Sequence, residues 1–155
     1  AYEKFQNLKE SDYPTWLKDV GLLLMCGCYA ALYGATLLEM FVAGIAAIVL
    51  PFVYKLDAKL GLGMFITNLV SIIPIVIIIC FLQANVFPSI HIGIPIIGAI
   101  MPAVPGTAIT NAIRDTLRGD YNSGTARAVE AAVTALSISI AVAIGLLIGG
   151  GVNPL

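Results

Sequence analysis

Residues 101–115 read Met-Pro-Ala-Val-Pro-Gly-Thr-Ala-Ile-Thr-Asn-Ala-Ile-Arg-Asp, two prolines and a glycine followed by hydroxyls, an amide and an Arg-Asp pair within an apolar stretch. Pro102 and Pro105 each remove a backbone donor, and Gly106 is free to adopt positive φ, so a helix passing through this run must break. In hydrocarbon each unpaired backbone group costs several kcal/mol, and a break survives only where protein or a water-filled cavity satisfies it. A second short helix starting at Thr107 then turns its free N–H groups and positive dipole end toward the membrane interior. That end suits a carboxylate, and it avoids placing a full cation in hydrocarbon, which costs at least ~2.5 kcal/mol.

Helical spacing sets Thr107, Thr110 or Asn111, Arg114 and Arg118 along one face, and Asn111 lies four residues from Asp115, within hydrogen-bonding reach. The candidate substrate pathway is therefore Pro102, Pro105, Gly106, Thr107, Thr110, Asn111, Arg114 and Asp115. Thr107, Thr110 and Asn111 would orient a carboxylate, while Arg114 attracts it from the cytoplasm or pairs with Asp115. The plainer reading of Arg114 and Asp115 is that they mark the cytoplasmic end of a helix. Asn68, accompanied by Thr67 and Ser71, either lines the same cavity or serves as interhelical hydrogen-bond glue. Arg127 and Glu130, three apart, are secondary candidates, as a surface pair or as partners of Arg114 and Asp115. Glu39 reads as a helix cap rather than a proton site, and His91 as a solvated interface residue, with a proton relay as its other reading.

The elements that must position these residues are membrane helices. With 155 residues, 59% apolar, 11% charged, a net charge of −1 and a mean hydropathy of +0.98, the chain reads as an all-α integral membrane protein with no affinity for nucleic acid. Five spans of about the length a bilayer requires are predicted: Trp16–Gly34, Leu37–Leu56, Met64–Leu82 with a kink at Pro74, the broken Ile92–Leu117, and Thr125–Ile148. Residues 1–13 are expected to be a cytoplasmic tether or the end of a soluble domain, and 14–155 the transmembrane domain. Thr36-Leu37-Leu38-Glu39 fits a capping box. Lys55, Asp57 and Lys59 with Gly61 and Gly63 form a polar turn, Gln83–His91 a loop, and Gly119–Gly124 another turn. Close helix contacts are expected at the Gly27, Ala31 and Ala30, Gly34 pairs and along Ala131, Ala135, Ser139 and Ala143. All eight lysines and arginines fall on one side of this topology, which puts the N-terminus in the cytoplasm and the C-terminus outside.

No cofactor or metal is expected. Cys26, Cys28 and Cys80 lie in apolar runs, Cys26 and Cys28 point to different helix faces, and one histidine cannot complete a cage with them. No Ser/His/Asp set, His-Glu-x-x-His or Gly-Lys-Ser/Thr phosphate loop supports an enzyme.

The 101–115 motif, with Gly119-Asp120, Ser123-Gly124, Ala126-Arg127, Glu130-Ala131 and the Tyr13-Pro14-Thr15-Trp16-Leu17 start, resembles the threonine/serine exporter family over the whole chain. The resemblance implies a secondary transporter subunit of a bacterial inner membrane that exports small amino acids such as threonine and serine. In related two-subunit systems it implies small dicarboxylates such as succinate, and in both, coupling to the proton gradient. It further implies that this is the first five-helix half, completed by a second five-helix subunit or a homo-oligomer. An odd number of spans inverts the second half, which places a site between repeats near the midplane. Ala103 stands where the family usually has a bulkier leucine, which bears on pocket shape. The competing class is a non-transporting scaffold or assembly subunit in which the break is a packing kink.

Overall fold

A computed structural model describes residues 14–150; the expected tether at 1–13 lies outside the described residues. The described residues form helices α1 (Thr15–Leu32), α2 (Leu37–Ala46), α3 (Val49–Leu60), α4 (Met64–Asn85), α5 (Gly93–Ile100), α6 (Gly106–Leu117) and α7 (Tyr121–Gly149), with a 3-10 turn at Met101–Ala103 and no strand. Four lengths are apolar and long enough to cross a bilayer: α1, Leu37–Leu60, α4 and α7. The pair Gly93–Ala103 and Gly106–Leu117, whose axes differ by 54°, raises the number to five if it counts as one crossing. These helices fit a multi-pass membrane protein.

Several boundaries differ from those read off the sequence. The second span is divided at Ala47–Ile48 and continues to Leu60 rather than ending at Leu56. Pro51 accounts for the division, because it has no N–H to return to the carbonyl four residues back and its ring crowds that carbonyl. Lys55, Asp57 and Lys59 consequently lie on α3, and the turn itself is Gly61–Gly63, with Gly61 at φ 62° closing the helix in a left-handed cap. Gln83–Asn85 extend α4, which runs on through Pro74. The last helix starts at Tyr121 rather than Thr125. Asp120 accepts from the Ser123 N–H at 3.1 Å, and these contacts with Ser123 hold its carboxyl below the ordinary aspartate range, so the cap stays charged at neutral pH.

The Thr36–Glu39 capping box is present: the Glu39 N–H donates to Thr36 Oγ1 at 3.3 Å and the Thr36 N–H to Glu39 Oε2 at 2.8 Å. Glu39 does more than cap. Only 2% exposed, it accepts the His91 backbone N–H at 2.9 Å through Oε1, tying the start of α2 to the loop before α5. His91 Nδ1 lies 3.4 Å from the same oxygen.

The core is built where α4 meets α7 and where α1 and α2 meet α5, around Leu50, Ile72, Ile75, Val76 and Ile79. Small residues set these approaches, at the expected Gly27, Ala30 and Ala131 but not at the other positions expected. On α1 it is Cys26, Gly27 and Ala30 that are buried, while Ala31 and Gly34 are exposed. On α7 the buried face runs through Ala131, Thr134, Ile138, Ala141 and Gly145, and Ala135, Ser139 and Ala143 face outward. A strict four-residue stripe drifts by roughly 40° per step on a helix of 3.6 residues per turn, so it leaves a straight contact after its first member.

Candidate functional site at the helix break

Between α5 and α6 lie the 3-10 turn Met101–Ala103 and two further residues, Val104 and Pro105. Val104 is extended (φ −66°, ψ 128°), the conformation that a following proline imposes, and its N–H returns to Met101 O at 3.1 Å. Pro105, at φ −79° and ψ 50°, is the N-cap of α6 and supplies no side-chain cap. Gly106 does not take the positive φ expected of it. It is the first residue of α6, one position earlier than the predicted Thr107 start, and its N–H donates to Val104 O at 2.8 Å. Ile109 N–H reaches Pro105 O at 3.1 Å, which leaves the Thr107 and Ala108 N–H groups with no acceptor among the described residues.

Those two residues open on a cavity of about 450 Å³. Its walls come from four places in the chain: Tyr54 and Asp57 on α3; Met64, Thr67 and Asn68 on α4; Pro102, Ala103, Val104, Pro105, Thr107 and Ala108 at the break; Glu130 and Thr134 on α7. Asn68 is only 5% exposed. Its Nδ2 donates to Ser137 Oγ at 2.8 Å, and no donor among the described residues reaches its Oδ1. Because no fully enclosed side-chain nitrogen or oxygen lacks a partner, that oxygen is open, and the space it opens on is the cavity. Asn68 is thus both interhelical glue and cavity wall. Thr67, 5% exposed, donates to Gly63 O at 3.0 Å, and Thr134, 4% exposed, to Glu130 O at 2.8 Å, so both hydroxyls are already committed as donors.

The residues singled out in the sequence divide into two groups. Pro102, Pro105, Thr107, Asn68 and Glu130 share the cavity wall. Gly106, Thr110, Asn111, Arg114 and Asp115 do not line it. Thr110 Oγ1 donates back to Gly106 O at 2.9 Å. Asp115 is turned to Arg127 Nε at 3.0 Å and to Arg114 Nε at 3.9 Å rather than to Asn111. Arg127 is therefore a partner of Asp115 and makes no pair with Glu130, whose side chain has no hydrogen bond or ion pair among the described residues. Arg114 and Arg118 are exposed.

Sequence reasoning missed Tyr54, Asp57 and Thr134. The first two stand three apart on α3, a spacing that puts them on one helix face, but ending the span at Leu56 leaves Tyr54 inside it and Asp57 in the turn beyond. Electrostatically the wall is one-sided: Asp57 and Glu130 carry carboxylates, and no Lys, Arg or His lines the cavity. Asp57 Oδ1 accepts the Leu62 N–H at 2.9 Å. Among the described residues, no three His, Cys, Asp or Glu side chains are grouped so as to hold a metal ion.

What this wall can do is bind a polar solute within an apolar bundle. Neither a curated relative nor a solved structure matches the chain. Residues 1–149 match the ThrE family, described as "Putative threonine/serine exporter", and the chain belongs to that family.

Proposed function

We propose that the chain is the substrate-binding part of a secondary transporter that exports small amino acids of the threonine and serine type, or small carboxylates, from a bacterial cell across the inner membrane, driven by the proton gradient. The bent pair α5 and α6 acts as one broken crossing, with the carboxylate of the solute held at the start of α6. One observation carries this reading: Thr107 and Ala108, whose N–H groups are uncapped and without acceptors among the described residues, line a cavity of about 450 Å³ together with the buried Asn68. Two free N–H groups at a helix start concentrate partial positive charge where a carboxylate would otherwise lose its hydration.

Further support comes from the position of the cavity. Asp57 and Met64 flank the Gly61–Gly63 turn, and Lys55 and Lys59 stand on the same side, the side that the one-sided lysine and arginine distribution assigns to the cytoplasm. An exporter loads there. The broken helix, the family's two-half arrangement and the exposed faces of this bundle are also what a second five-helix partner, inverted relative to this one, would complete.

Efflux tests the reading. Vesicles carrying the chain, alone and with a second five-span subunit, are loaded with radiolabelled threonine, serine or succinate. Release of at least one solute above that of empty vesicles is expected. The absence of release in both preparations, at matched protein level, would overturn transport and leave a scaffold subunit.

A further inference from the structure

The hydrogen bond that joins α4 to α7 also decides which atom the cavity meets. Asn68 and Ser137 are 5% and 0% exposed, and Asn68 Nδ2 donates to Ser137 Oγ at 2.8 Å. A serine hydroxyl has one proton, and Ser137 gives its proton to the Thr134 carbonyl oxygen at 2.7 Å, one turn back on α7. Ser137 Oγ is left as an acceptor, so the amide atom that faces it must be the nitrogen. Turned over, the amide would set Oδ1 against an oxygen whose proton is already given, and both would go unsatisfied. The network of Asn68, Ser137 and Thr134 therefore holds the amide in one orientation, with Oδ1 on the cavity side. The adjoining Thr67 and Thr134 hydroxyls give their protons to Gly63 O and Glu130 O, so they too can only accept. Ser137 itself does not line the cavity, and any effect it has on a solute passes through Asn68.

We propose that Ser137 is a positioning residue of this site: by holding the Asn68 amide it keeps a carbonyl oxygen, rather than N–H groups, in the cavity wall, and the wall then discriminates among solutes by whether they bring a neutral hydrogen-bond donor to that point. This rests on the site reading proposed above, and adds to it a residue outside the cavity and the polarity of one contact inside it. Oδ1 is uncharged and is met by no donor among the described residues, so a hydroxyl satisfies it without bringing in a charge that lacks a counter-charge. An ether oxygen at the same place would put acceptor against acceptor, and neither would be satisfied. Without Ser137 the nitrogen loses the partner that fixes it, and the amide is free to present either atom. A site that demands a donor becomes one that takes donor or acceptor alike.

The experiment is equilibrium binding of radiolabelled L-serine to the full chain in lipid nanodiscs, competed by unlabelled serine and by O-methyl-L-serine, which keeps the side-chain oxygen as an acceptor but lacks its proton. Serine is expected to compete at concentrations about tenfold or more below those of the ether, the ratio that one unsatisfied buried acceptor supports. In Ser137→Ala the ratio should fall to about threefold or less, and it should fall because the ether binds more tightly than to the unmodified chain, while serine changes by less than about threefold. A merely structural role for Ser137 would weaken both ligands together and leave the ratio where it was. Both are measured on the same preparation, so a partial loss of folded protein does not move the ratio either. Ser137→Cys, close to serine in volume but with a sulfur that accepts only weakly, should give an intermediate ratio and carries the test if the alanine variant does not fold. Saturable serine binding with no discrimination against the ether, or a ratio unchanged in the Ser137 variants, would overturn the positioning role and leave the carboxylate site intact. If serine shows no saturable binding to the unmodified chain, the site reading itself falls, and the positioning role with it.

Discussion

Asn68 and Asn111 are the same residue type, each preceded by Ile-Thr, and the structure places them differently. Asn68 is buried, joined to Ser137 on α7 and open to the cavity through its other amide atom. Asn111 stands on α6 away from the cavity wall. Asn68→Leu should weaken serine binding about tenfold or more and cost ~1 kcal/mol of stability through the lost bond to Ser137, whereas Asn111→Leu should change binding by less than about threefold. Binding and thermal unfolding in the same lipid measure both. Loss of binding in Asn111→Leu with Asn68→Leu unaffected would move the site from the cavity to the outer face of α6. A polar residue within an apolar run was legible as a candidate at both positions, because an intramembrane amide must find a partner. Which partner it finds depends on a helix about seventy residues away, and for that the sequence near Asn68 holds no sign.

At the scale of the helices, glycine marks the close approaches. A Cβ at Gly145 would lie 2.6 Å from Val76 Cβ, and one at Gly98 would lie 2.7 Å from Ala30 Cβ and 2.9 Å from Cys26 O. At Gly124 it would overlap Thr116 Oγ1 and come within 3.1 Å of Ala112 O, where α6 folds back on α7. Gly21, in the middle of α1, has nothing within 4 Å. Gly124→Ala and Gly145→Ala are therefore expected to destabilise by ~1–3 kcal/mol through overpacking, and Gly21→Ala to be neutral or to stabilise by up to ~1 kcal/mol. Unfolding titrations in mixed micelles compare them. Equal harm at Gly21 and Gly145 would show that helix contacts do not govern these positions. Close packing at small residues was foreseeable in kind, since helices in lipid gain little from the hydrophobic effect and much from contact. The face was not, because apolar residues surround α4 and α7 on nearly every side and leave no polar arc from which to read the rotation.

For the molecule as a whole, the arrangement of charge sets the expected topology. Lys55 and Lys59 stand before the Gly61–Gly63 turn and Arg114, Arg118 and Arg127 around the α6–α7 turn, while Val86–Ile92 holds neither lysine nor arginine. In a chain with its three cysteines replaced, a cysteine at Ser89 should be modified by an impermeant reagent from outside the cell, and one at Leu62 only after the membrane is opened. The reverse pattern would invert the bundle and put the cavity at the outer face, which is incompatible with loading an exporter from the cytoplasm. The Asp115–Arg127 pair and the Glu39–His91 tie belong to opposite ends of this expected topology, one at each side of the membrane.

What the chain determined by itself were properties held within a few neighbouring residues: apolar lengths sufficient to cross a bilayer, the reciprocal cap at Thr36 and Glu39, and the extended Val104 forced by Pro105. Each follows from local donors, acceptors and sterics that no distant contact alters. The tertiary structure decided which polar residues meet. It brought Asp57, Asn68, Thr107 and Glu130 to one cavity and sent Asp115 to Arg127, because helix rotation and crossing are set by the packing of long, uniformly apolar surfaces. Such surfaces encode insertion into lipid strongly and orientation about the helix axis weakly.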